Sequence, residues 1–182
     1  MGDPKRLRKR FDTPAHPWRR ARIESEKEIT YTYGLKNKQE IWKMQTILKT
    51  FAASAKRLIA ASGKQADLEK KQLFARLERL GLLTKGAKLE DILEIRLEDV
   101  LNRRLQTVVQ KRKLAHSAKQ ARQFITHQHI QVGEKCITSP SYLVKAEEEQ
   151  KIGFVVKSPM FSESHPERVL PQEPKGKKGG AV

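Results

Sequence analysis

The sequence has little of what builds disulfide frameworks, membrane spans or a large apolar core. Its single cysteine, Cys136, excludes an intramolecular disulfide and any site that needs paired cysteines. Aromatic residues make up 6% and hydrophobic residues 37% of the 182 residues, which suits only modest cores. No apolar run approaches the roughly 18 residues of a membrane span, and the N-terminus lacks the apolar segment of a signal peptide. We therefore expect a soluble, cytoplasmic protein.

Metal-ligating residues are also sparse. None of the five histidines lies four residues from another, the spacing that places two ligands on one helix face. His127 and His129 share a face of an extended stretch near Cys136, which leaves a metal site there arithmetically open. Solvated or phosphate-facing histidines explain this pattern better, and we predict no metal and no cofactor.

Positive charge, by contrast, is abundant. The 38 Lys and Arg residues oppose 21 Asp and Glu residues, which gives a net charge of +17. A chain with so much self-repulsion is expected to bind a polyanion, for which RNA and an anionic membrane are the candidates. Because no membrane-spanning segment is present, RNA is favoured and no membrane partner is expected.

Residues 1–36 are predicted to form a basic N-terminal arm. Eight Lys and Arg residues and one acid lie between Pro4 and Arg22, where three prolines interrupt any helix. We predict that this segment is disordered or extended until it binds a partner. Phe11 and Trp18 are interleaved with arginines and can stack on bases, which favours RNA over a merely solvated tail. The candidate RNA contacts in the arm are Arg8, Arg10, Arg19, Arg20 and Arg22.

Residues 37–95 are predicted to form a small helical body. Apolar residues recur at three- and four-residue steps from Ile41 to Ile59, which predicts an amphipathic helix. Asn37 is its predicted N-cap, Glu40 the capping-box partner and Gly63 the C-terminal stop.

A second helix of this body is predicted to begin after an Asp67 cap and to close at Gly81. Its buried stripe is predicted to contain Leu68, Leu73, Leu77 and Leu80. Residues 88–100 add a short third element.

Two helices are predicted in the central part of the chain. The apolar residues of 96–113 lie on one helical face, which predicts a single helix with a buried and a charged side. The residues off the apolar face are Arg103, Arg104, Gln106, Gln110 and Lys111. Ser117 then opens a second helix that starts at Ala118, with Gln120 at the capping-box position.

The start of this second helix is a candidate phosphate site. Its first turn carries unpaired backbone N–H groups, and Lys119 and Arg122 stand beside it. A solvated basic face is the alternative, but the coincidence of charge with a helix start favours a phosphate contact. The inward-facing residues are predicted to be Ala118, Ala121, Phe124 and Ile125.

A small antiparallel sheet is predicted to follow. Residues 127–132 have a period of two, in which His127, His129 and Gln131 alternate with Gln128, Ile130 and Val132. Gly133 then supplies a turn, and the segments KCIT and PSYLV come next. Residues 152–156 are predicted to add a last strand. The acidic run 147–149 is placed in the hairpin connection, away from the RNA. Residues 158–182 contain four prolines and are predicted to form a tail.

The predicted fold class is therefore α+β and mostly helical. It comprises the helical body, a domain over residues 96–157 in which two helices pack on the small sheet, and basic extended tails. The segments RLEDVLNRRLQ, LAHSAKQARQFITHQHIQVG and SPSYLV together resemble the S-four RNA-binding domain, a helix-helix-hairpin module. With YGLKNKQEIW upstream and KSPMF downstream, residues 30–162 resemble the archaeal and eukaryotic branch of the small-subunit ribosomal protein S-four family.

The resemblance implies a non-enzymatic, primary binder of the 5′ domain of small-subunit rRNA. It also implies a place near the mRNA entry channel and the decoding-accuracy region, with neighbouring small-subunit ribosomal proteins as partners. The family's RNA-facing positions correspond to Arg103, Arg104, Lys113, Ser117, Lys119, Gln120, Arg122, Gln123, His127 and His129, to which the charged helix face adds Lys111. Its packing positions correspond to Arg96, Leu97, Leu101, Phe124 and Ile125.

The chain departs from the family pattern in two ways. Gln128 stands where a glycine is common, which leaves the turn geometry there open. The zinc cysteines of the bacterial branch are absent, in agreement with the single cysteine.

The leading interpretation is a structural constituent of the small ribosomal subunit that holds RNA through phosphate and shape contacts. A pre-ribosomal assembly factor that carries the same domain is the alternative. An RNA-modifying enzyme is disfavoured, because no convergent acid, base or nucleophile remains outside the helical body and the RNA module.

Overall fold

The computed structural model describes residues 9–84, 86–162 and 165–168. Arg8 and most of the predicted C-terminal tail lie outside these residues. The described helices and strands, in chain order, are α1 (Arg20–Thr32), α2 (Lys38–Ala60), α3 (Lys64–Arg79), α4 (Asp91–Glu94), α5 (Leu97–Asn102), α6 (Leu105–Lys111), α7 (Ala118–Thr126), β1 (Ile130–Val132), β2 (Lys135–Cys136), α8 (Ala146–Glu149) and β3 (Ile152–Phe154). The predicted α+β, mostly helical class is confirmed.

Helix α1 lies within the segment predicted to be an extended arm. Its Glu26 side chain is 2% exposed and accepts hydrogen bonds from Arg22 Nη1 at 2.8 Å and Trp42 Nε1 at 3.0 Å. Lys38 Nζ lies 3.3 Å from the second carboxylate oxygen. These contacts dock α1 onto α2, so the prediction of an extended arm is wrong from Arg20 onward.

Helices α2 and α3 exist as predicted, but their caps differ. Asn37 occupies the N-cap position of α2 without a side-chain capping bond. Gly63, at φ 117°, is the N-cap of α3 rather than the end of α2. Asp67 lies within the first turn of α3 and is not its cap. Leu68, placed on the buried stripe by the sequence, is 54% exposed.

The helical body holds two apolar clusters. One joins α2 to α5 through Ile41, Met44, Val100 and Leu101. The other joins α2, α3 and α4, and its buried members are Phe51, Ala55, Leu77 and Ile92. Helix α5 therefore packs with the helical body.

A third apolar cluster underlies α6, α7 and the sheet. Its members begin at Leu105 and include Phe124, Ile125, Ile130 and Phe154. The inward positions predicted for α7, which are Ala118, Ala121, Phe124 and Ile125, are all buried.

The predicted helix over residues 96–113 is in fact two helices, α5 and α6, separated by Arg103 and Arg104. Backbone bonds to a crossing segment accompany the break. Val144 N–H donates to Arg103 O at 2.8 Å, and Leu105 N–H donates to Tyr142 O at 2.7 Å. The apolar period runs across the break, so the pattern contains no signal of it.

The predicted exposure of Gln106 is also wrong. The sequence places it off the apolar face, but its side chain is fully buried. Its Nε2 donates to Gly34 O at 3.0 Å and to Ala118 O at 2.7 Å. Gln106 therefore ties the loop before α2 to the start of α7.

The three strands form one antiparallel sheet in the order β2-β1-β3. Gln131 pairs with Cys136 of β2 on one side and with Gly153 of β3 on the other. The hairpin at Gly133 and the last strand agree with the prediction. The segment PSYLV is not a strand of this sheet, because it contributes only the isolated antiparallel bridge between Arg104 and Leu143.

Candidate nucleic-acid interface

The N-terminus of α7 has the geometry that the sequence predicts. Ser117 is the N-cap, and its Oγ accepts a hydrogen bond from Gln120 N at 3.2 Å. The Gln120 side chain returns to the backbone one residue earlier than a standard capping box, since its Oε1 accepts from His116 N at 2.7 Å. Lys119 is exposed beside this turn, so it remains a candidate for contact with a phosphate.

A segment that the sequence did not place there lies against this helix start. The carbonyl oxygen of Glu167 accepts a hydrogen bond from Gln120 Nε2 at 3.2 Å and lies 2.8 Å from His116 Nε2. Both ends of the Gln120 amide are therefore used within the protein. No residue pattern near Glu167 indicates this contact.

Arg104 is buried rather than RNA-facing. Its side chain is 1% exposed, and its Nη2 donates to Glu40. The prediction that Arg104 lies on an exposed charged face is wrong, because the break between α5 and α6 turns it towards α2. Burial lowers the pKa of Arg104, and the charge of Glu40 opposes that shift.

Arg103 is also engaged within the fold. Its side chain is 15% exposed, with Nη1 donating to Glu149 Oε2 at 2.7 Å and Nη2 donating to Val144 O at 3.1 Å. Glu149 belongs to the acidic run that the sequence placed in the hairpin connection, away from the RNA. Its pairing with Arg103 brings a carboxylate of that run against one of the predicted RNA-facing residues.

Arg122 completes an ion cluster with Glu40 and Arg104. Its Nη2 lies 3.0 Å from Glu40 Oε1, while 28% of its side chain stays exposed. Burial alone would raise the pKa of Glu40, but hydrogen bonds and charges from Arg122 and Arg104 bring it below its ordinary value. Glu40, which sequence reasoning used only as a helix cap, therefore holds two predicted site residues in place.

The other predicted residues of the central stretch are exposed, except for His129. Lys113 has a positive φ of 58° in the connection between α6 and α7. His129 is partly buried, with Nδ1 2.8 Å from Ser158 Oγ, and its ring stacks on His127 with centroids 6.2 Å apart. The exposed residues are Lys111, Lys113, Ser117, Lys119, Gln123 and His127.

Gln128 adopts φ 65°, the left-handed conformation that favours glycine. This answers the question left open by the sequence, because Gln128 makes the turn without a glycine. The turn carries the chain from α7 into β1.

The N-terminal residues divide into exposed and engaged groups. Arg10, Arg19 and Arg20 are exposed, although Arg20 pairs with Glu24 at 2.8 Å on the surface. Arg22 is committed to Glu26 and to the carbonyl oxygen of Pro17, at 2.8 and 2.6 Å.

The two aromatic residues that are interleaved with arginines, Phe11 and Trp18, also differ in exposure. The Phe11 ring packs near that of Trp42, with centroids 6.0 Å apart. Trp18 is 89% exposed. Trp18 is therefore more available than Phe11 for stacking on a base.

The described residues hold no cluster of three or more His, Cys, Asp or Glu side chains suited to a metal ion. Within the same ranges, every helix is too short or too polar to cross a membrane.

The chain is similar in sequence to known proteins. A family model described as the S4 domain matches residues 103–149. The chain is 53% identical over 169 residues to the small ribosomal subunit protein uS4 of Methanococcus aeolicus, which covers 92% of this chain and 96% of that protein. The chain belongs to the small ribosomal subunit protein uS4 family.

Two other uS4 proteins give the same result. The chain is 51% identical over 169 residues to uS4 of Methanococcus maripaludis, covering 92% of this chain and 95% of that protein. It is 47% identical over 160 residues to uS4 of Methanothermobacter thermautotrophicus, covering 88% and 94%. Membership of the uS4 family confirms the predicted resemblance, and this is a family of ribosomal proteins rather than of enzymes.

Proposed function

We propose that the protein is a structural constituent of the small ribosomal subunit and a primary binder of the 5′ domain of its rRNA. We also propose that it contributes to subunit assembly and lies with other small-subunit proteins near the mRNA entry and decoding-accuracy region. The observation that carries the proposal is the 53% identity, over 92% of the chain, to a protein named for the small ribosomal subunit.

The exposed cations support an RNA partner. Lys111, Lys113 and Lys119 surround the connection from α6 to α7, and Arg10 and Arg19 are exposed on the N-terminal arm. Lysine and arginine in this arrangement bind phosphates by charge, so that recognition depends on the shape of the folded RNA. The net charge of +17 supplies long-range attraction to such a partner.

A binding titration tests this function. The affinity for a 5′-domain rRNA fragment is expected to exceed that for a scrambled RNA of equal length. The logarithm of the binding constant is expected to fall linearly with the logarithm of the salt concentration, because each bound phosphate releases counterions. Equal affinity for the two RNAs, or affinity independent of salt, would contradict the proposal.

Sedimentation of cell extracts separates a constituent from an assembly factor. A constituent is expected in equimolar amount with the rRNA of mature small subunits. Restriction of the protein to precursor particles would instead support the assembly-factor alternative.

A further inference from the structure

A cavity of about 480 Å³ lies where the N-terminal arm, α2, α7 and the segment before Leu143 meet. Charged side chains from four parts of the chain line it. They are Arg10, Glu40, Lys43, Arg104 and Arg122, with Ser141 at the same wall. None of the predicted features of the sequence brings these residues together.

The charges around this cavity do not balance. Four cationic side chains face one carboxylate, Glu40. Glu40 pairs with Arg104 and Arg122. Within the described ranges, neither Arg10 nor Lys43 makes an ion pair with an acid. Positive charge concentrated in a concave surface attracts an anion.

Arg104 provides an independent indication of a missing acceptor. Its side chain is 1% exposed, yet Nε and Nη1 have no hydrogen-bond partner among the described residues. A guanidinium carries five N–H donors, and Glu40 uses only Nη2. Buried donors are almost always paired, because leaving one unpaired costs free energy. An anion in the cavity would compensate this charge and supply acceptor oxygens.

We propose that this cavity binds one phosphate group, with Lys43, Arg122 and Arg10 as contacts at its open side and the unpaired donors of Arg104 as contacts at its buried wall. That this phosphate belongs to an RNA backbone rests on the proposed function. A phosphate fits because it offers several acceptor oxygens to donors that converge from different elements. Glu40 orients Arg104 and Arg122 towards the cavity while the phosphate is absent.

The first test compares two lysines on the same helix. Lys43→Gln removes a cavity contact, and Lys56→Gln removes an equal charge from an exposed position of α2 outside the cavity. Binding of the 5′-domain rRNA fragment to the full chain is measured over a range of salt concentrations. Lys43→Gln is expected to weaken binding about tenfold and to reduce the salt slope by about one. Lys56→Gln is expected to leave both near the wild-type values.

Arg122→Gln gives a second reading of the same contact. It is expected to behave as Lys43→Gln does, provided that circular dichroism shows the variant folded. The Lys43 result decides the proposal if Arg122→Gln does not fold. Equal losses in the Lys43 and Lys56 variants would overturn the proposal, because net charge alone would then explain the binding. No loss in the Lys43 variant would overturn it as well.

The second test uses inorganic phosphate and needs no RNA. Nuclear magnetic resonance of the arginine and lysine side-chain nitrogens is recorded during a phosphate titration. Saturable shifts at Arg122 and Lys43 are expected in the wild-type protein, and the shift at Arg122 is expected to be lost in Lys43→Gln. If the wild-type protein does not distinguish 5′-domain RNA from scrambled RNA, the proposed function fails, and this titration alone judges the cavity. Absence of such shifts would then overturn the cavity proposal.

Discussion

At the scale of single residues, the side chain of Arg104 shows how a basic residue of the central stretch is used for folding. It lies between α5 and α6 and bonds to Glu40 of α2, 64 residues earlier in the chain. Removing one member of a buried ion pair leaves its partner without compensation and costs about 3–5 kcal/mol. Here Arg122 also pairs with Glu40, which limits the loss.

Arg104→Ala is therefore expected to lower the free energy of unfolding by about 3 kcal/mol, the lower end of that range. Urea denaturation followed by circular dichroism measures the change. Lys111→Ala, a loss of equal charge at an exposed site of the same stretch, is expected to change stability by less than about 0.5 kcal/mol. A stable, fully folded Arg104→Ala protein would show that the pairing with Glu40 contributes little.

Gly34 is a second residue whose identity is required by the fold. Its φ is 57°, and a Cβ built there would lie 2.7 Å from Ala118 Cβ. Gly34→Ala is expected to destabilise the protein by at least about 2 kcal/mol, from backbone strain and from the clash with α7.

Gly133→Ala is the matched control for Gly34→Ala. Its φ is 62°, but nothing lies within 4 Å of the added Cβ, so only the backbone term of about 1 kcal/mol remains. Thermal or urea unfolding of both variants makes the comparison. Equal losses would mean that the contact between Gly34 and α7 is not tight.

At the scale of elements, the docking of α1 on α2 depends on the buried Glu26. Burial alone would raise the pKa of Glu26, but hydrogen bonds from Trp42 and Lys38 and the charge of Arg22 bring it below the ordinary value of 4.5. A carboxyl group with a lowered folded-state pKa stabilises the fold above its unfolded-state pKa. That stabilisation is lost as the pH falls through the lower folded-state value.

The free energy of unfolding is thus expected to fall as the pH is lowered below 4.5, the ordinary pKa of Glu26 and of Glu40. The slope is at most about 1.4 kcal/mol per pH unit for each additional proton bound on unfolding. Glu26→Gln is expected to be less stable at neutral pH and to show a shallower slope. Glu24→Gln, at an exposed carboxylate of the same helix, is expected to keep the wild-type profile. Equal slopes for Glu26→Gln and wild type would contradict this account.

The elements differ in how well the sequence predicts them. Helix α7 is predicted correctly because its N-cap, Ser117, and its apolar period are both local. The break between α5 and α6 is missed because it arises from bonds to residues 142–144, which no local pattern at Arg103 and Arg104 records. Helix α1 is missed because no local pattern records the bonds between its buried Glu26 and the residues of α2.

Across the whole chain, the family can be predicted from local sequence segments, whereas the arrangement of the candidate site cannot. The family follows from the order of segments, and the relatives confirm it over 92% of the chain. The pairing of Glu40 with Arg122 joins residues 82 positions apart, and only the fold brings them together. The sequence therefore predicts that the surface is basic, but it does not predict which cations remain available for RNA.

Substitutions of exposed lysines test whether RNA binding depends on particular positions of the surface or on net charge alone. Lys113→Gln and Lys119→Gln are each expected to weaken binding to 5′-domain rRNA by roughly 1–2 kcal/mol without loss of stability. Lys135→Gln, at an exposed edge-strand position outside the predicted set, serves as a control. An effect of Lys135→Gln as large as the other two would indicate binding by net charge alone.

A footprint of the purified protein on full-length small-subunit rRNA is the decisive test of binding to the 5′ domain. Hydroxyl-radical cleavage reports which riboses the bound protein covers. Protections are expected to be confined to one region of the 5′ domain and to be lost as the salt concentration rises. Protections elsewhere in the rRNA, or scattered protections that a scrambled RNA reproduces, would contradict this expectation.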